Sequence, residues 1–175
     1  MKLFFILILS TSIPLNAAVL WCESEESIWK TVVHLSNNFK KKSSTNSTIR
    51  GTICQKAMWF SDKGINTAIT GKYDKYNPSI ETWLKLAKKK NSLYCNTGSK
   101  ESTYYSWLDT SYLHMIDRKS LELTTRERVA PMIKRSLNCS VSSENEVKSK
   151  WKELENMQII TNKKISEENE SENII

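Results

Sequence analysis

The chain has 175 residues, with 26 Lys and Arg against 19 Asp and Glu for a formal charge of +7, and 39% hydrophobic residues. With four glycines it holds no glycine-rich phosphate loop, and it has no G-x-S-x-G nucleophile turn. It also lacks any C-x-x-C pair, and its two histidines stand far from every cysteine in sequence, so a zinc site is not expected.

The first residues, MKLFFILILSTSIPLNAAVLWC, place Lys2 before an apolar run from Leu3 to Ile13, followed by Ala17 and Ala18. That order predicts a secretory signal peptide over 1–18, with Val19 as the first mature residue. The run is shorter than the roughly 20 residues that cross a bilayer, and no later segment is apolar enough to do so. The expectation is a single secreted, extracellular domain over 19–165. The last thirteen residues set two lysines against four glutamates, which predicts a disordered acidic tail over 166–175.

In the mature chain, Ile28, Val32, Leu35 and Phe39 recur at helical intervals, predicting a helix over 25–41. Glu25 and Glu26 suit its positive end and Lys40, Lys41 and Lys42 its negative end. The run KKKSSTNST reads as a surface loop. Over 52–71 the turn signal SDKG separates two runs with β-branched or aromatic residues, which predicts a small hairpin; a helix through Ile53, Ala57 and Phe60, broken at Gly64, fits as well. The stretch from Ser79 predicts a capped helix with Ile80, Trp83, Leu84 and Ala87 on one face and Lys88, Lys89 and Lys90 in its last turns. Gly98 is available for the left-handed residue that ends it. Trp107, Leu108, Tyr112, Met115 and Ile116 predict a helix over 101–119. Pro131 divides the next segment and leaves a short helix over 130–137. Ser142 or Ser143 starts a final helix with Val147, Trp151, Leu154 and Gln158 on its face. The fold class read from these patterns is mainly α: one disulfide-stapled domain of four to five helices, with a small β-hairpin near 52–71. The alternative is α+β, with the hairpin extended into a sheet.

Residues 92–116 and 136–160 share Ser, Leu, Cys, Ser, Trp and Ile at matched positions. This spacing suggests a repeated helix–turn–helix unit in which cysteine staples and tryptophan fills. Cys22, Cys54, Cys95 and Cys139, an even count in an exported chain, imply two disulfides, with three pairings open. Asn46, Asn138 and Asn169 begin N-x-S/T acceptor sites; Asn46, in the polar loop, is the best placed of them.

Trp29, Trp83, Trp107 and Trp151 fall on the predicted apolar faces, as core or as the lining of a ligand cavity. The clusters Lys40–Lys42 and Lys88–Lys90 are basic-patch candidates for an acidic glycan, although lysines at helix ends also serve the helix alone. His34 and His114 would act as paired acid and base in a secreted hydrolase or nuclease only if they met in space. No catalytic residue, metal or cofactor is assigned, and nucleic acid is not an expected partner. The functional expectation is a secreted, N-glycosylated, non-enzymatic protein that binds an extracellular protein or acidic glycan, as a signalling ligand or host-directed effector. The alternatives are a carrier of a small hydrophobic ligand and the His34/His114 enzyme.

Overall fold

A computed structural model describes residues 18–25, 29–41, 49–59, 78–109, 111–128 and 134–172. It overturns the mainly α expectation. The strands are β1 (Ala18–Glu23), β2 (Trp29–Leu35), β3 (Lys40–Lys41), β4 (Ile49–Trp59), β5 (Cys95–Lys100), β6 (Tyr104–Leu108), β7 (Tyr112–Asp117), β8 (Glu122–Glu127) and β9 (Lys134–Ser142). Helix α1 (Ile80–Lys88) lies between β4 and β5, and α2 (Glu144–Glu172) follows β9. Neighbouring strands pair antiparallel, β2 passes to β4 with the short β3 beside it, and β9 returns to β1. The result is a closed eight-strand antiparallel barrel. A barrel of eight strands has an interior just wide enough to be filled by side chains or to hold one small ligand.

Three predicted helices are strands. The segment 25–41 contains β2 and β3, because β2 is buried on both faces: Val33 and Leu35 enter the barrel while Val32 and His34 face outward. A strand buried twice has no polar alternation, so its apolar residues also fit a helical stripe. The segment 101–119 is the β6–β7 hairpin. Of 130–137, the described part belongs to β9. Over 52–71, Thr52–Trp59 continues β4 and the remainder lies outside the described residues.

The two remaining helices form as read. Ser79 caps α1, its hydroxyl accepting the Thr82 amide at 3.3 Å. Ser143 and Glu146 cap α2 reciprocally, the Ser143 hydroxyl accepting the Glu146 amide and the Glu146 carboxylate accepting the Ser143 amide at 2.7 Å. Helix α2 continues to Glu172, past the expected domain boundary at 165.

The left-handed residue after α1 is Lys90, at φ 55°, and not Gly98. Gly98 lies inside β5, where a Cβ would come within 2.4 Å of the Ile53 side chain. It is small so that Ile53 can fill the barrel.

Alternation along the strands sorts the core into two layers. Inside the barrel lie Leu20, Val33, Leu35, Ile53, Tyr105 and Ile116, with others of one buried cluster. Outside, Val19, Trp21, Val32 and Met58 are covered by Trp83 and Leu84 of α1 and by Val147, Trp151 and Leu154 of α2. Trp21 meets Trp151 edge to face at 6.4 Å. The ion pairs Lys88–Glu144 (2.7 Å) and Glu81–Lys152 (2.8 Å) join the helices in opposite directions.

Both expected disulfides are present, as Cys22–Cys139 and Cys54–Cys95. Each links directly opposed residues of adjacent strands. Cys22–Cys139 belongs to the interior and ties the last strand to the first, while Cys54–Cys95 faces outward beneath the helices. The two sequence-similar stretches thus adopt different structures. Cys95 and Trp107 lie on strands β5 and β6, whereas Cys139 lies on β9 and Trp151 on α2, so no repeated helix–turn–helix unit exists.

Lys56 sits on the outer face of β4, 1% exposed, with its ammonium 3.1 Å from the Pro78 carbonyl and over the Trp151 ring at 5.0 Å. Burial, partly offset by Glu155, lowers its pKa from 10.5 to about 8. Between these values the unfolded chain holds more protons than the folded one, so stability rises with pH across that window. Denaturant unfolding should show a gain of about 2 kcal/mol from pH 7.5 to 9.5 that Lys56→Met abolishes. An equal rise in both proteins would contradict this assignment.

Candidate functional site

The barrel interior is not uniform along its axis. At one end it is apolar, with Leu35, Ile53, Tyr105, Ile116, Leu123 and Leu137 packed together. Phe39 and Leu121 pack against that cluster, Phe39 lying 5.3 Å from the Tyr105 ring. Arg118 adds closure there, donating to the Glu101 and Ser102 carbonyls at 3.0 and 2.8 Å.

The opposite half carries polar and aromatic side chains on the same inward face. Strand register places them in rows: Trp107 opposite His114, His114 opposite Thr125, Thr125 opposite Arg135, and Tyr112 opposite Glu127. Trp107 is 2% exposed and stacks on the His114 ring at 5.0 Å with 16° between planes. Its indole N–H donates to Gln55 Oε1 at 3.1 Å. This bond crosses from β6 to β4 where the intervening ladder has run out, since β4–β5 pairing ends at Cys54–Cys95 and β5–β6 pairing at Gly98–Trp107.

His114 is 4% exposed and fixed at both nitrogens. Nε2 lies 2.8 Å from Asp109 Oδ2, and Nδ1 lies 3.0 Å from the Thr125 hydroxyl. Asp109 also accepts the Ser111 and Tyr112 amides at 2.9 and 2.7 Å, which forms the β6–β7 turn without glycine. Burial pushes the Asp109 carboxyl up, but the bonds from His114 and the two amides outweigh it and hold the pKa below the usual carboxylate value. One aspartate thus makes the turn and orients the imidazole.

The order Thr125–His114–Asp109 resembles a nucleophile–base–acid chain. Strand β8 is paired on both sides of Thr125, and the bonds to Thr125 and Asp109 hold the His114 ring from both nitrogens.

Above this network, half-buried Tyr112 donates its hydroxyl to Glu127 Oε1 at 3.3 Å. Half-buried Arg135 lies over Trp29 at 5.0 Å and over Tyr112 at 5.6 Å. Trp29 is on β2 and Tyr112 on β7, with the three strands β1, β9 and β8 between them, so the Arg135 side chain reaches across this end of the barrel.

The sequence-derived candidates divide accordingly. Trp29 and Trp107 line the interior, whereas Trp83 of α1 and Trp151 of α2 are core between the helices and the barrel. The two histidines do not meet. His114 points into the barrel and His34 is on the outer face, where burial holds its pKa below the ordinary histidine value. Lys40 and Lys41 are exposed on β3, Lys88, Lys89 and Lys90 are exposed at the end of α1 with Lys88 paired to Glu144, and Lys42 lies outside the described residues. Asn138 is exposed on β9, the Asn169 side chain is outside the described set, and so is Asn46. Gln55, Asp109, Tyr112, Thr125, Glu127 and Arg135 were missed by sequence reasoning. The alternation Tyr112, His114, Ile116 beyond an Asp-Thr-Ser turn was the signal available for the hairpin and its inward face.

The groove of about 320 Å³ between α1 and α2 is lined by Leu84 with Glu81, Lys85, Lys88, Glu144 and Lys148. Its ion pairs mark it as a solvated helix seam. Among the described residues no three His, Cys, Asp or Glu side chains converge on a metal position, and no helix is long and apolar enough to cross a membrane. The chain matches no protein-family model, no curated protein and no solved structure.

Proposed function

We propose that the protein is an exported carrier that holds one small, mostly apolar ligand in the polar-aromatic half of its barrel. The observation that carries this reading is the Gln55–Trp107–His114–Asp109 network. A barrel filled only for stability needs no such belt, because an apolar interior meets that need without polar groups to satisfy. Satisfied polar groups fixed among aromatic rings are what a small-molecule site requires, giving an apolar lining with a few oriented polar contacts. The barrel architecture supports the reading in its strand number, since eight-stranded up-and-down barrels enclose one small ligand in other proteins. Two disulfides with no free cysteine fit an oxidising compartment. The broader expectation of an extracellular protein- or glycan-binder would instead use the outer surface, where the exposed lysines sit on separate elements.

Native mass spectrometry of the protein recovered from a secreting eukaryotic cell tests the reading. A small-molecule adduct that survives purification and is released by denaturation is the expected result. A bare protein mass, unchanged after incubation with a panel of small aromatic and aliphatic compounds, would remove the carrier reading and return attention to the outer surface.

A further inference from the structure

Resting on that carrier reading, we propose that the ligand is a small aromatic acid whose anionic group is bound by Arg135. Each charged group described near the aromatic rings has a different set of partners. Asp109 accepts from His114 and from two backbone amides. Glu127 accepts the Tyr112 hydroxyl. Arg135 differs from both. Its described contacts are the approaches of its guanidinium to the Trp29 and Tyr112 rings, at 5.0 and 5.6 Å, and among the described residues no carboxylate lies within ion-pair distance of it.

A guanidinium uses its flat face on an aromatic ring and its edge N–H groups on an acceptor. Ring contacts therefore orient the group and leave its fork of donors for a planar anion such as a carboxylate or sulfonate. The same rings supply the surface against which an aromatic body packs, and the apolar half of the barrel lies beyond Trp107. Asp109 and Glu127 act against any anion, and this sets the ligand's orientation: the acidic group goes to Arg135 on β9, and the apolar body goes toward Trp107 on β6. Among the described residues, a cationic ligand would meet Glu127, which already accepts the Tyr112 hydroxyl, with Arg135 opposed.

The test uses 8-anilinonaphthalene-1-sulfonate and its uncharged analogue N-phenyl-1-naphthylamine, titrated by fluorescence into the wild-type protein, Arg135→Gln and Arg135→Lys. The wild type should bind the sulfonate about tenfold more tightly than the amine. Arg135→Gln should abolish that preference, bringing the sulfonate's affinity down to that of the amine. Arg135→Lys, which keeps the charge without the planar fork, should retain part of it and carries the test if the glutamine variant does not fold. Equal binding of both probes by the wild type, or a preference that persists in Arg135→Gln, would overturn the acid assignment while leaving the carrier reading intact. Failure of the wild type to bind either probe would overturn both.

Discussion

Replacing Cys22 and Cys139 together by alanine should destabilise the protein by about 5 kcal/mol, against about 4 kcal/mol for Cys54 with Cys95. The loops closed span sequence separations of 117 and 41 residues, and the entropy removed from the unfolded chain grows with the logarithm of loop length. Position widens the difference. Cys22–Cys139 ties the first strand to the last, at the seam where the sheet becomes a barrel. Cys54–Cys95 ends a ladder that is followed directly by the next ladder in the meander. Since small domains are stable by only about 5–15 kcal/mol, loss of the seam bridge should leave a chain near its folding threshold. Urea unfolding of the two double variants measures this, and a larger loss for the Cys54/Cys95 pair would contradict the seam's importance.

Trp107→Ala should cost about 4 kcal/mol and, on the carrier reading, abolish binding of the naphthalene probes. A fully buried tryptophan truncated to alanine loses its transfer free energy and leaves a cavity that its neighbours fill only in part. Here the loss also strips one face from His114 and leaves the Gln55 oxygen without the indole N–H. Trp107→Phe keeps most of the volume and loses the hydrogen bond, so it should cost about 1–2 kcal/mol. The phenylalanine variant separates the two roles of Trp107. If it unfolds with the wild type and binds the naphthalene probes with wild-type affinity, the indole N–H is not part of the site.

What the sequence disclosed follows from how local each signal is. The helices α1 and α2 were legible because Ser79 and Ser143 cap them and each buries one face against the barrel, leaving the other to solvent. The need for two disulfides was legible, but the pairing was not, since it depends on which strands become neighbours.

The barrel itself was hidden for two reasons. Strands such as β2 have both faces buried, one in the lumen and one under helices, so period-two patterning is lost. The tight turns also lack glycine. Asp109 makes the β6–β7 turn, and Asp117, accepting the Lys119 and Ser120 amides, makes the β7–β8 turn with Leu121 at φ 57°. With no Asn-Gly or Asp-Gly pair there, the hairpins carried no strong mark.

The site was legible only in part. Trp29, Trp107 and His114 stood out as residue types, but their convergence is a property of register. His114 meets Trp107 and Thr125 because strands β6, β7 and β8 pair in one alignment, and a shift by one residue would turn all three outward. Arg135 gave no sequence signal, since within a basic stretch it reads as one more surface charge.

The indole N–H signals of the tryptophans, followed by ¹H–¹⁵N correlation spectroscopy during titration with 8-anilinonaphthalene-1-sulfonate and assigned by single Trp→Phe variants, give the most direct test of a ligand held inside the barrel. Trp29 and Trp107 line the interior; Trp21, Trp83 and Trp151 are buried between barrel and helices. On binding, the Trp29 and Trp107 signals should move while those of Trp21, Trp83 and Trp151 hold their positions. Movement confined to Trp83 and Trp151, with Trp107 unchanged, would place the ligand on the outer face and contradict a carrier built around the barrel interior.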